Sequence, residues 1–222
     1  MEPIAVKIIV AVHVFAGVSS LIAGACAMLL KTNTPKHRIA GKIYFWNMSY
    51  IFVSGLFLSI YRESLFFIFI SFFVYHMLIT AYRSLKLKNL HKEQKPSNID
   101  YVIDVVAGLA NLGFVVYGIK DYLNGAGVDA AIPIVFGLIG LRNVYLNARK
   151  FFVKPTDPSL WLKNHIAGMI GSYIGAITAF LVNQAEHIPL PNVVLWLGPT
   201  LILVPFIILE LKKLKPKFSV RY

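Results

Sequence analysis

Three histidines, His13, His76 and His165, lie within long apolar stretches of this chain. If these stretches cross a bilayer, an ionisable side chain inside one is costly, so each histidine is a functional candidate. His76 lies roughly 12–14 Å from the inner end of its predicted helix, at about 1.5 Å per residue. His165 lies within roughly 10 Å of the inner end of its own predicted helix. We therefore predict that His76 and His165 converge, where two imidazoles from separate helices suit a haem iron or another metal ion.

A thioether adds to this candidate site. Met169 follows His165 by four residues, which places both side chains on one helical face. Imidazole and thioether together suit copper or haem, so His13, His76, His165 and Met169 are candidate ligands of a b-type haem. The commoner role for intramembrane histidines is an interhelical hydrogen bond, and the sequence leaves that alternative open.

Two charged residues, Asp104 and Arg142, lie inside consecutive apolar stretches at matched depth. Lone charges there are costly, so we predict a structural ion pair between them. The alternative is that Arg142 binds an anionic headgroup, a quinone or a haem propionate. The sequence lacks HExxH, P-loop and Gly-x-Ser-x-Gly motifs, and no enzymatic activity is assigned.

The elements that position these residues are seven apolar stretches. The chain is 57% hydrophobic and only 14% charged, against about 25% charged in soluble domains. Runs of about 20 apolar residues are typical of membrane helices, because backbone groups in lipid must bond internally. We predict an all-α bundle forming one transmembrane domain over residues 1–222, with a basic tail at 212–222. The predicted helices cover 4–30, 41–61, 64–85, 99–123, 127–149, 160–184 and 191–211.

Lys and Arg residues crowd into every second loop. On the side with few basic residues, only Lys7, Arg62 and Lys120 lie near the ends of the stretches, and Arg142 lies within a stretch. Short basic loops stay cytoplasmic, so we predict that the N-terminus lies outside and the C-terminus inside. Despite the net charge of +12, the expected partners are anionic lipid headgroups at the cytoplasmic face, and no nucleic acid. The fifth predicted helix has the shortest uncharged run. We still predict that it crosses the membrane, because only then do all the basic clusters lie on the same side.

The segment between the first two stretches carries His37, Arg38, Gly41, Lys42 and Tyr44. A basic inner loop explains Lys36, Arg38 and Lys42, but not His37 and Tyr44. With His13 followed by small residues, and a late helix with His165, Met169, Ser172 and Tyr173, this segment resembles an uncharacterised family of bacterial multi-pass membrane proteins. The resemblance implies a helical membrane fold in the bacterial inner membrane and no activity. A looser similarity, to di-haem cytochromes of the b type and to seven-helix zinc hydrolases, lacks their full ligand patterns.

Three functions fit the sequence. The first is a redox-linked, or haem- or quinone-associated, membrane protein that uses His76 and His165. The second is a non-enzymatic assembly or interaction protein with a membrane-protein partner or a second copy. The third is a transporter of small solutes or lipids.

Overall fold

The computed structural model describes residues 2–30 and 34–214, and seven long helices account for most of them. Each is long and apolar enough to cross a membrane, which confirms the predicted all-α bundle. Single 3₁₀ turns at Gly127–Ala130 and Ala185–His187 precede α5 and α7. The helices are α1 (Ile4–Leu29), α2 (Pro35–Tyr61), α3 (Leu65–Ser84), α4 (Asn98–Leu123), α5 (Ala131–Phe152), α6 (Leu160–Asn183) and α7 (Asn192–Lys213).

The helices run alternately up and down, so the basic loops gather at one end of the bundle. At that end Arg83 of α3 pairs with Asp100 of α4, and the Lys88 amine lies over the Trp161 ring of α6. At the opposite end Arg62 pairs with Glu2. We call the end where α1, α3, α5 and α7 finish the basic end. Of the predicted basic residues, Lys31, Lys215, Lys217 and Arg221 lie outside the described residues.

The start of α2 corrects a prediction. The sequence predicts this helix from residue 41, but α2 begins at Pro35, so His37 and Arg38 lie in its first turns and not in a loop. Thr34 caps this helix by accepting a hydrogen bond from the His37 amide at 3.2 Å, and proline at the first helical position favours helix. The Thr-Pro pair is the signal that the hydrophobicity pattern missed.

Helix α3 lies at the centre of the bundle, with α2, α4, α5 and α6 packed around it. Glycines on α6 permit close approach to α3. A Cβ added at Gly168 would lie 2.6 Å from the Ala81 Cβ, and one at Gly175 would lie 2.6 Å from a Val74 methyl. The small-residue face of α6 therefore packs against α3, and this contact fixes where His165 and Ser172 lie.

Candidate functional site

A chain of hydrogen-bonded polar side chains crosses from α3 through α4 to α5 in the basic half of the bundle. The His76 imidazole donates from Nε2 to Asp104 Oδ1 at 2.9 Å. His76 is 4% exposed and Asp104 5% exposed. A buried imidazole–carboxylate pair in a membrane span is one of the few arrangements that keeps a carboxylate there at tolerable cost.

Helix α5 completes this chain. Asn147 donates from Nδ2 to both Asp104 carboxylate oxygens, at 2.8 and 2.9 Å. The Lys150 amine, on a residue only 8% exposed, donates to Asn147 Oδ1 at 2.5 Å. We call His76, Asp104, Asn147 and Lys150 the polar chain. It holds three titratable groups linked by one amide, so a change of charge at one is felt by the others.

The polar chain opens towards the basic end beside a second ion pair. Arg83 donates from Nε and Nη2 to the two Asp100 oxygens, each at 2.7 Å. Asp100 also accepts from the Ser97 amide at 2.8 Å in the capping box of α4. Asn147, Lys150, Arg83 and Asp100 all line one small crevice at this end. Asn147 and Lys150 therefore connect the buried His76–Asp104 pair to the basic end of the bundle.

The loop after α5 closes the same end. Asp157 accepts hydrogen bonds from the Lys163 amine and from the Ser159 amide and hydroxyl. Burial favours the neutral carboxyl, but these hydrogen bonds and the Lys163 charge outweigh it and lower the pKa of Asp157. Asp157 and Lys150 both line a neighbouring crevice, with Trp161 and His91.

The structure does not contain the predicted ion pair between Asp104 and Arg142. Asp104 is saturated by His76 and Asn147, whereas Arg142 is exposed and forms no hydrogen bond or ion pair with any described residue. The two were matched by depth alone. Depth does not fix the direction of a side chain around its helix, and Arg142 points away from α4.

The predicted convergence of His76 and His165 receives no support. His165 donates from Nδ1 to the Ala81 carbonyl of α3 at 3.1 Å, while His76 turns to α4. His37, at the start of α2, donates from Nδ1 to the Ala27 carbonyl of α1 at 2.9 Å. Met169 packs beside an apolar core cluster, and its carbonyl accepts from the Ser172 hydroxyl. The alternative role, hydrogen bonding between helices, is the one these histidines have.

A second polar region joins α1, α2 and α6 without charge. The Tyr44 hydroxyl donates to Ser172 Oγ at 2.8 Å, since the Ser172 hydroxyl itself donates to Met169. The Tyr173 hydroxyl donates to the Leu21 carbonyl at 3.0 Å, and its ring covers Gly24. We call Tyr44, Ser172 and Tyr173 the hydroxyl cluster.

His13 forms a similar neutral link. Its Nδ1 lies 2.8 Å from Ser54 Oγ, and since the Ser54 hydroxyl donates to the Tyr50 carbonyl, the imidazole is the donor. Of the remaining segment residues, Arg38 and Lys42 lie exposed on the first turns of α2, and Gly41 has open space around it.

The polar side chains do not form a multi-ligand metal centre. Among residues 2–30 and 34–214, no three His, Cys, Asp or Glu side chains lie together as a metal site requires. The two crevices at the basic end hold about 260 and 180 Å³ of empty space, open solvent included. Because those volumes count open solvent, the enclosed space is much smaller: the first crevice has room for about one water molecule and the second for none.

Sequence reasoning missed two members of the polar chain, Asn147 and Lys150. Both lie in the last turns of α5, three residues apart, whereas the sequence predicts a helix that ends at residue 149, before Lys150. Their three-residue spacing puts both side chains on one helical face, where they could pair with a buried carboxylate such as Asp104. This spacing is the signal in the sequence for both residues, but Arg142 is the closer match to Asp104 in predicted depth.

The comparisons with known proteins identify a family. Neither the curated proteins nor the solved structures include a significant match to this sequence. The family described as "Predicted membrane protein (DUF2306)" matches residues 10–139, which is more than half of the chain. The matched region includes His13, His37, Tyr44, His76 and Asp104, and ends before Asn147. The chain therefore belongs to the DUF2306 family of membrane proteins.

Proposed function

We propose that this protein is a proton-linked membrane protein, most simply a transporter that couples a small solute to protonation of the polar chain. The observation that supports this proposal is the buried His76–Asp104 pair, which is hydrogen-bonded through Asn147 to Lys150. Carboxylate and imidazole groups linked inside a membrane span are typical of proton relays in pumps and transporters.

The chemistry of the pair supports this proposal. The proton between His76 Nε2 and Asp104 Oδ1 belongs to two groups held 2.9 Å apart in a low-dielectric environment. Its position therefore depends on nearby charge, and Lys150 supplies a positive charge two hydrogen bonds away. An anion that approaches Lys150 and Arg83 through the crevice would weaken that charge and change the proton occupancy of the pair.

The polar chain also lies close to the surface at the basic end. Asn147 and Lys150 line the crevice there, together with Arg83 and Asp100. The shortest path from this surface to His76 and Asp104 runs past these groups and does not cross the apolar half of the bundle. Opening towards the opposite end would require a second state, as alternating access demands.

The test is NMR of the His76 imidazole nitrogens in the purified protein. We expect their signals to change when Asp104→Asn removes the carboxylate that shares the proton with Nε2, because a neutral amide cannot take that proton. His76 signals that ignore Asp104→Asn contradict the proposal.

His13 provides the matched control inside the same protein. It is also a membrane-span imidazole, but its partner is the neutral Ser54 hydroxyl. Its nitrogen signals should be unaffected by Asp104→Asn. If both histidines respond equally, the variant has disturbed the fold and the comparison must be repeated with Asn147→Leu, which separates Lys150 from the pair.

The haem- or metal-linked function receives less support from this geometry. His76 and His165 each donate one ring N–H to a different protein group, one to Asp104 and one to the Ala81 carbonyl. A shared ligand would have to break the packing between α3 and α6. A purified protein with a Soret band that His165→Ala abolishes would restore this function over proton coupling.

We infer that the basic end faces the cytoplasm, with the protein in the inner membrane of a bacterium. Support comes from the Lys and Arg residues gathered at that end, where anionic headgroups bind them. A reporter active only in the periplasm should be inactive when fused after Arg221 and active when inserted after Arg62. The reverse pattern contradicts this orientation.

A further inference from the structure

Arg142 lies on the outer surface of α5, near mid-height of the bundle, where we place the centre of the membrane. A Cβ added at Gly140 would meet the Asn111 side chain, so Gly140 is level with the midpoint of α4. Arg142 is two residues further along, about 3 Å by helix rise. Half of an about 30 Å hydrocarbon core then leaves roughly 12 Å to the headgroups at the basic end.

No group that the structure describes compensates that charge. Arg142 is exposed and has no hydrogen-bond or ion-pair partner among residues 2–30 and 34–214. Snorkelling serves Lys and Arg near helix ends, where the side chain reaches water. Here the headgroups lie further away than an extended arginine side chain reaches. An arginine left facing lipid at this depth is strongly unfavourable.

We propose that Arg142 marks a docking surface for a transmembrane helix of a second protein that carries an Asp or Glu at mid-membrane depth. The surface around it is apolar, with Leu138 54% and Tyr145 63% exposed, one turn before and after. A partner carboxylate would form paired hydrogen bonds with the guanidinium, and the flanking side chains would exclude lipid from that contact. This goes beyond proton coupling and does not depend on it.

A second copy of this chain does not supply the missing charge. The chain has ten Asp and Glu residues, and the one furthest inside a span is Asp104, which is buried and bonded to His76 and Asn147. The others lie near helix ends or in loops. The complementary carboxylate must therefore come from another protein.

The experiment places a photoreactive benzophenone amino acid at position 138 or 145 in the full chain within its own membrane. We expect a crosslink to one protein, at a membrane segment that contains Asp or Glu. Arg142→Leu should reduce its yield at least about tenfold, since paired charges at an interface are coupled by more than 1.4 kcal/mol. Probes at Leu201 and Ile202, exposed on α7, are the matched controls and should not give this product.

Charge exchange makes the test independent of any folding defect. Arg142→Glu alone should lose the crosslink, and Arg142→Glu with the partner's acid changed to arginine should restore it. The proposal is overturned if the product is a dimer of this chain, if only lipid is captured, if the captured segment has no acidic residue, or if Arg142→Leu leaves the yield unchanged.

Discussion

The polar chain and the hydroxyl cluster both hold helices together inside the membrane, yet they are built from different groups. The polar chain has a carboxylate, an imidazole and an ammonium joined through Asn147 across α3, α4 and α5. The hydroxyl cluster joins α1, α2 and α6 with neutral donors and with carbonyl or hydroxyl acceptors. Neutral links suffice for packing, so the costly charged groups at the other site indicate a task besides packing.

The largest effect should follow from Asp104→Leu. It leaves His76 and Asn147 without their acceptor in a buried site, and removing one partner of a buried charged pair costs about 3–5 kcal/mol. Unfolding in mixed micelles measures this loss. Asp129→Leu, which removes an exposed carboxylate at the opposite end, is the control and should change stability little.

A double variant separates pairing from general damage. His76→Leu with Asp104→Leu replaces both partners by apolar side chains, so it should cost clearly less than the two single changes together. Additive losses would show that the 2.9 Å contact carries no coupling and would remove the main difference between the two regions.

A smaller loss of stability should follow from a packing change at the hydroxyl cluster that alters no polar side chain. A Cβ at Gly24 would lie 2.5 Å from two Tyr173 ring atoms and 3.2 Å from a Tyr44 ring atom. Gly24→Ala should therefore displace Tyr173 and destabilise the protein by about 1–3 kcal/mol, the usual range for overpacking. The same unfolding assay measures it.

Gly17→Ala is a close control for this variant. It lies on the same helix, and an added Cβ there meets no atom within 4 Å. It should have little effect or stabilise slightly, because alanine restricts the unfolded chain. Equal losses at Gly17 and Gly24 would mean that the ring contact does not matter.

The sequence predicted the fold well because hydrophobic length is a one-dimensional signal. The seven predicted apolar runs correspond to seven helices in the structure, and the fifth, which has the shortest uncharged run, corresponds to α5. The start of α2 was missed because Thr34-Pro35 signals a helix start through capping, which apolar periodicity does not report.

The site was predicted in part. His76 and Asp104 were selected as costly groups inside spans, and both belong to the polar chain. Their partners were not found, because depth alone does not say which way a side chain faces around its helix. Pairing Asp104 with Asn147 rather than Arg142 depends on the rotation of α5 against α4, which packing at Gly137 and Gly140 decides.

The smallest effect should come from Tyr44→Phe. It removes the hydroxyl that donates to Ser172 Oγ, while the Ser172 hydroxyl keeps its own bond to the Met169 carbonyl, so no donor is left unsatisfied. Hydrogen bonds between membrane helices average about 0.6 kcal/mol and reach about 1.7 kcal/mol, so the loss should fall in that range. Tyr122→Phe, at a residue 64% exposed, serves as the control and should cost nothing measurable. A loss at Tyr44 as large as that at Asp104 would mean that a neutral hydroxyl stabilises as much as a charged pair. The charge of the polar chain would then cease to be an argument for a function beyond packing.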